Sequence, residues 1–365
     1  MLDFGAGIAV NSLGHCHPHL VDTLKKQAEK LWHTSNLYRI PEGERLAERL
    51  CEATFADTVF FTNSGAEAME CSIKMARKYH AASGHPEKFR LITFEGAFHG
   101  RTLATIAAGG QQKYIDGFGP AVEGFDQVPF ADHDAVEKAI GPETAGILIE
   151  PIQGEGGIVV PPDGYLQAAA ELCRKHNVLL IADEIQTGLG RTGKMLACEH
   201  EGVQPDGLIL GKALGGGIFP VSMFLAREEV MAVFQPGDHG STFGGNPLGA
   251  AIGLEALNIL VEDRLPERSA ELGDYLVAEL RKIDSPLIRE IRGRGLFVGV
   301  DIDPSLGTAR SVCEALMQRG LLSKETHQTV VRLAPPLVIE KQEIDWALQQ
   351  IREVLAEMDR VRLAS

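Results

Sequence analysis

The chain has 365 residues, 44% hydrophobic and 23% charged, a balance that suits a globular protein with one large domain and a smaller one. Its formal charge of −15, with no basic stripe, excludes nucleic acid or an anionic membrane surface as the main partner. Six scattered cysteines without a CxxC pair, no signal peptide, and no apolar run near the roughly 20 residues of a membrane span point to the cytoplasm.

Short apolar runs alternate with helical stretches. Residues 58–61 predict a strand and 66–80 the helix after it; 91–94 and 146–149 predict further strands. Residues 165–176 are helical, 178–182 form a fully apolar strand, and 207–210 another. Strand–helix–strand order with near-continuous apolar strands predicts an α/β fold, a mainly parallel central sheet with helices on both faces. Ligands in such sheets lie at the C-terminal strand ends. From about residue 254 the texture changes to a helix over 267–282, the glycine-rich Arg292-Gly293-Arg294-Gly295, shorter strands and a last helix over 342–358. The expected layout is an N-terminal segment 1–20, a large domain 21–253 and a small α+β domain 254–365.

Strand ends carry the chemistry. After 178–182 comes Asp183-Glu184-Ile185-Gln186-Thr187-Gly188, and a buried acid there needs a cation or hydrogen bonds. After 207–210 comes Gly211-Lys212-Ala213-Leu214, whose lysine can reach a crowded pocket. Thr62-Asn63-Ser64-Gly65-Ala66-Glu67 joins a strand to a helix, offering free N–H groups and a hydroxyl to an anion. Each feature alone has a plainer reading, as a solvated strand end or a helix cap.

Together these motifs resemble the class III (ornithine-type) aminotransferases, which depend on pyridoxal 5'-phosphate (PLP) and have the fold type I architecture. The resemblance implies that Lys212 holds PLP as a Schiff base and that Asp183 keeps the pyridine nitrogen protonated, so that the ring acts as an electron sink. It implies Gln186 at the ring's 3-hydroxyl, Ser64, Gly65 and Ala66 at the phosphate, Phe98 over one ring face and His99 close by. Thr242, in Gly240-Ser241-Thr242-Phe243-Gly244-Gly245-Asn246-Pro247, would reach the phosphate of a neighbouring subunit, implying a homodimer with shared active sites. Arg332 corresponds to the arginine for the keto acid's α-carboxylate and Glu155 to the glutamate that pairs with it when no substrate carboxylate is there. Arg101 corresponds to the residue that holds the donor's carboxylate.

Residues 1 to about 130 are most similar to acetylornithine aminotransferases; those from about 178 are more similar to ornithine aminotransferases. Ile8 stands where ornithine enzymes commonly carry tyrosine, which favours an acetylated donor. The implied reaction moves the δ-amine of N2-acetylornithine or ornithine to 2-oxoglutarate, in arginine and ornithine metabolism. Succinylornithine, 4-aminobutyrate or a similar ω-amine is the alternative donor. Family members usually have some thirty residues before Leu2, a segment expected to help build the dimer and the substrate entrance.

Two rival motifs carry less. Gly188-Leu189-Gly190-Arg191-Thr192-Gly193-Lys194-Met195 approaches the phosphate-loop pattern of a nucleotide-binding protein but ends in Met195, which has no hydroxyl for magnesium. His15, His17 and His19 alternate, yet Gly14 and Pro18 predict a turn there and no metal site is expected.

Overall fold

The computed structural model describes residues 1–364. Seven strands form the main sheet: β1 (Thr58–Thr62), β2 (Arg90–Phe94), β3 (Phe125–Val128), β4 (Thr144–Ile149), β5 (Leu179–Asp183), β6 (Gly207–Leu210) and β7 (Ser222–Ala226). Their spatial order is β1-β7-β6-β5-β4-β2-β3. All pairings are parallel except those of β7, which runs antiparallel to both β1 and β6. β4, β5, β6 and β7 are buried along their whole length, as strands covered on both faces must be. The predicted strands thus appear with edges moved by one or two residues, and Asp183 proves to be the last residue of β5.

Helix caps fix where the chain turns back over the sheet. Ser64 caps α3 (Gly65–Ala82), following α1 (Pro18–Ala28) and α2 (Pro41–Ala53), with its side chain accepting the Glu67 N–H. Helix α4 (Tyr165–His176) coincides with its predicted span. Asn246 caps α5 (Pro247–Glu262) through Gly249 N–H, and Pro247 sits at the first helical turn, where its missing N–H costs nothing. Helix α5 packs along both α1 and α2 and crosses residue 253 without a break.

A second, antiparallel sheet contains β8 (Ile288–Arg294), β9 (Phe297–Ile302), β10 (Lys324–Thr326) and β11 (Val330–Leu333), in the order β10-β11-β9-β8. Helix α6 (Leu265–Leu280) packs against β8 and β9, and α7 (Lys341–Ala364) extends beyond the span read from sequence. Leu2–Asp3 pairs in parallel with Leu321–Leu322, tying the first residues of the chain to this C-terminal region. The glycine-rich turn here is a packing requirement: a Cβ on Gly273 of α6 would lie 2.2 Å from the Gly295 backbone. Side chains from one face of the main sheet and from the second sheet share one apolar cluster, while Leu91, Leu148, Ile181, Ile209 and Phe224 pack with α3 in another.

Residues 13–17 form a turn that ends where Pro18 opens α1; the His15 imidazole meets Asp3, and His19 lies 3.7 Å from Glu255. The loop that resembles a phosphate-binding motif buries Arg191 and Thr192 and precedes a short 3₁₀ turn, Ala197–Glu201. Arg191 donates to the carbonyls of Leu296 (3.0 Å) and Pro335 (2.6 Å) and to Ser12 Oγ (3.1 Å), so the loop holds three segments together. No helix among the described residues is long and apolar enough to cross a membrane.

Candidate active site

β5 is apolar until its last residue. Asp183, 4% exposed, places Oδ2 at 2.8 Å from His99 Nδ1 and accepts the Ile185 N–H at 3.1 Å on Oδ1. Each oxygen therefore has one protein donor and a lone pair to spare. Burial alone would lower the pKa of His99, but the hydrogen bond and charge of Asp183, with the charge of Glu150, outweigh it and raise the value. His99 Nε2 is buried without a partner.

Sequence reading missed Glu150. It follows β4 as Asp183 ends β5, and an acid closing a fully apolar strand was the signal that could have found it. Its Oε1 accepts the Phe98 N–H and its Oε2 the Gly154 N–H, both at 2.8 Å. One carboxylate thus anchors the loop after β2 and the loop carrying Glu155. Burial pushes the Glu150 pKa up to about 7; the cationic His99 opposes the rise and Asp183 adds to it.

Lys212 leaves the end of β6 with φ of 45°, in a left-handed region that a side-chain-bearing residue occupies only under constraint. Its Nζ lies 3.2 Å from the Ile8 carbonyl. Burial, reinforced by the positive charge of Arg332, lowers its pKa from 10.5 to about 8, while Glu155, Asp183 and Glu150 oppose the shift.

Opposite these strand ends, the start of α3 offers N–H groups that lack partners within the helix. A Cβ on Gly65 would fall 2.6 Å from Ile185 Cδ1, so any larger residue there would push the Ile185 side chain aside at the cavity wall. Gly65, Ala66, Phe98, His99, Glu150, Asp183, Ile185, Gln186 and Lys212 all line one cavity. At its edge Arg332, fully buried on β11, donates through Nη1 to Glu155 Oε1 (2.7 Å) and Gln186 Oε1 (3.1 Å). Its Nε and Nη2 are buried and unpartnered, a guanidinium with capacity for another carboxylate. The Glu155 pKa is lowered: burial pushes it up, but Arg332 and Lys324 prevail.

Three predicted residues lie elsewhere. Ser64 is exposed and bonded to its own helix. Arg101 is exposed, with its guanidinium 4.1 Å from the Tyr114 ring centre and 5.6 Å from that of Phe98. Thr242 is exposed and outside the cavity wall.

The cavity has what a flat, anionic, aromatic group needs. It offers a carboxylate with free lone pairs, apolar walls at Phe98 and Ile185, open helix amides and a lysine amine. A lysine and an aspartate from neighbouring strand ends face this space together, with an arginine–glutamate pair at its edge. The chain belongs to the class-III aminotransferases. The family model matches residues 1–355. Among curated class-III aminotransferases, the chain is 53% identical over 360 residues to the acetylornithine aminotransferase of Agrobacterium fabrum, covering 98% of this chain and 89% of that one. It is 52% identical over 349 residues to the ornithine aminotransferase of an Exiguobacterium species, covering 95% and 86%. Among solved structures, the Toxoplasma gondii ornithine aminotransferase, whose active site holds PLP at partial occupancy, superposes with a TM-score of 0.96 at 40% identity, covering 99% of this chain and 87% of that one.

Proposed function

We propose that this aminotransferase moves the δ-amine of N2-acetylornithine or ornithine to 2-oxoglutarate with PLP as cofactor. The observation that carries the reading is the convergence of Lys212 and Asp183 on one cavity beside the Arg332–Glu155 pair. Asp183, braced by His99, would hold the proton on the pyridine nitrogen, and Gln186 would meet the ring's 3-hydroxyl. Ser64, Gly65 and Ala66 would receive the phosphate, with Phe98 against the ring. When bound, PLP supplies an electron sink that stabilises negative charge at the substrate carbon. Lys212 would hold PLP covalently, and its Nζ, with a pKa near 8, is suited to hold or release a proton at the substrate carbon.

Arg332 serves the acceptor half of the cycle, where its unpaired Nε and Nη2 would receive a keto-acid carboxylate. Glu155 covers the guanidinium during the donor half. Arg101 is assigned to the donor's carboxylate; it lies outside the cavity wall, its guanidinium held against Tyr114 and against Phe98, which lines the cavity.

A homodimer completes the site in this reading. Leu31, Trp32, Leu37, Tyr38 and Phe243 are large and exposed, and the Phe243 ring stacks on His33 at 4.3 Å, beside Thr242. Such an apolar patch favours burial against a second copy, which would bring the partner's Thr242 to the phosphate. The cytoplasm is the proposed compartment. The layout 1–20, 21–253 and 254–365 is proposed on the separation of the two sheets. The deciding experiment adds acetylornithine, ornithine, succinylornithine and 4-aminobutyrate separately to the PLP form and follows the visible absorbance. Fastest decay with acetylornithine or ornithine is the expected result; fastest decay with 4-aminobutyrate would move the enzyme to another ω-aminotransferase specificity.

A further inference from the structure

The ion pair at the cavity edge has a third member. β10 and β11 are antiparallel neighbours, and their register sets Lys324 directly opposite Arg332. Opposed residues share a face of the sheet, so two cations point the same way, which is unfavourable by itself. Glu155 answers both: Oε1 lies 2.7 Å from Arg332 Nη1 and Oε2 3.4 Å from Lys324 Nζ. The backbone around Glu155 is pinned separately, by Thr326 Oγ1 donating to the Glu155 carbonyl (2.9 Å) and by the Gly154 N–H donating to Glu150 (2.8 Å). The carboxylate is therefore the part free to move.

The two cations differ in setting. The Arg332 side chain is fully buried with two donor groups unpaired, whereas the Lys324 side chain is 38% exposed. Resting on the aminotransferase reading above, the geometry points to Lys324 as the partner that holds the Glu155 carboxylate when a dicarboxylate keto acid takes Arg332. Lys324 is then a positioning residue that sets how readily the enzyme accepts dicarboxylates. An incoming carboxylate brings a second negative charge to a half-buried place, and a displaced Glu155 without a cation would oppose it. With Lys324 already in contact, Glu155 gives up one partner and keeps the other. Because Lys324 is partly hydrated, its bond to Glu155 is weak enough to reverse when the keto acid leaves.

The test uses PLP-loaded enzyme carrying Lys324→Met, Lys324→Gln or Lys324→Arg. Calorimetry measures the Kd of glutarate, an unreactive dicarboxylate, and rapid mixing measures the two half-reactions separately. For Lys324→Met and Lys324→Gln, the glutarate Kd and the acceptor KM should rise about fivefold, the upper end for a partly exposed ion pair. The donor half-reaction should stay within about twofold, and Lys324→Arg, which restores the charge, should recover most of the loss. Equal slowing of both half-reactions, an unchanged glutarate Kd, or no recovery with arginine would overturn the assignment. Failure of the unaltered enzyme to react with any amine would instead remove the aminotransferase reading, while the glutarate titration still judges Lys324.

Discussion

The lowered pKa of Lys212 makes a quantitative prediction about how the cofactor is loaded. Only a neutral amine can attack the aldehyde. With a pKa of about 8 in place of 10.5, the neutral fraction at pH 7.5 is about a quarter rather than about one in a thousand. Attachment of PLP to apoprotein should therefore level off just above pH 8, where an ordinary lysine would still gain about tenfold per pH unit up to pH 10. The sign is tested by removing neighbours. Arg332 lowers the value and Glu155 raises it, so Arg332→Met should move the midpoint up and Glu155→Gln should move it down. The assay is the rate of absorbance change on mixing apoprotein with PLP between pH 6 and 10. A rate still climbing through pH 10, or two variants that shift the midpoint in the same direction, would refute the electrostatic reasoning.

Asp183→Ala should lower turnover by more than it lowers PLP affinity, because it removes the partner that keeps the ring nitrogen charged; steady-state rates and a PLP titration separate the two effects. Gly273→Ala should destabilise the fold by about 1–3 kcal/mol, because its methyl would press on the Gly295 backbone, which has little room to yield. Denaturant unfolding monitors that loss, and an unchanged midpoint would contradict the close packing. Glu184→Ala should cost about 2–4 kcal/mol in the same assay, since the buried carboxylate accepts the N–H groups of Ala197 (2.6 Å) and Cys198 (2.9 Å) and nothing replaces it.

What was legible in the sequence follows the range of the forces involved. β5 and β6 announce themselves by unbroken apolar runs, and a polar residue closing such a run marks a site, hence Asp183 and Lys212. Glu150 carried the same mark but no motif of its own, and only the fold shows it anchoring two loops. Lys324 was invisible for a different reason: its importance lies in standing opposite Arg332, and cross-strand register is not written in either segment alone. His99 was placed near the cofactor by resemblance, while its bond to Asp183 joins residues 84 apart in the chain. Helix α5 runs unbroken across residue 253 and packs on both α1 and α2, so the change of texture from about residue 254 does not coincide with the end of an element.

The contact between the Lys212 amine and the Ile8 carbonyl bears on how this protein is made. The lysine proposed to hold the cofactor is touched by Ile8 and feels the charge of Arg332, so the cavity draws on residues far apart in the sequence. A ribosome that has finished the seven strands of the main sheet has still not supplied the arginine. Closing that side of the pocket therefore depends on contacts between residues far apart in the chain rather than on local helix formation. The arginine proposed to receive a dicarboxylate is thus supplied only after every strand of the main sheet has been made.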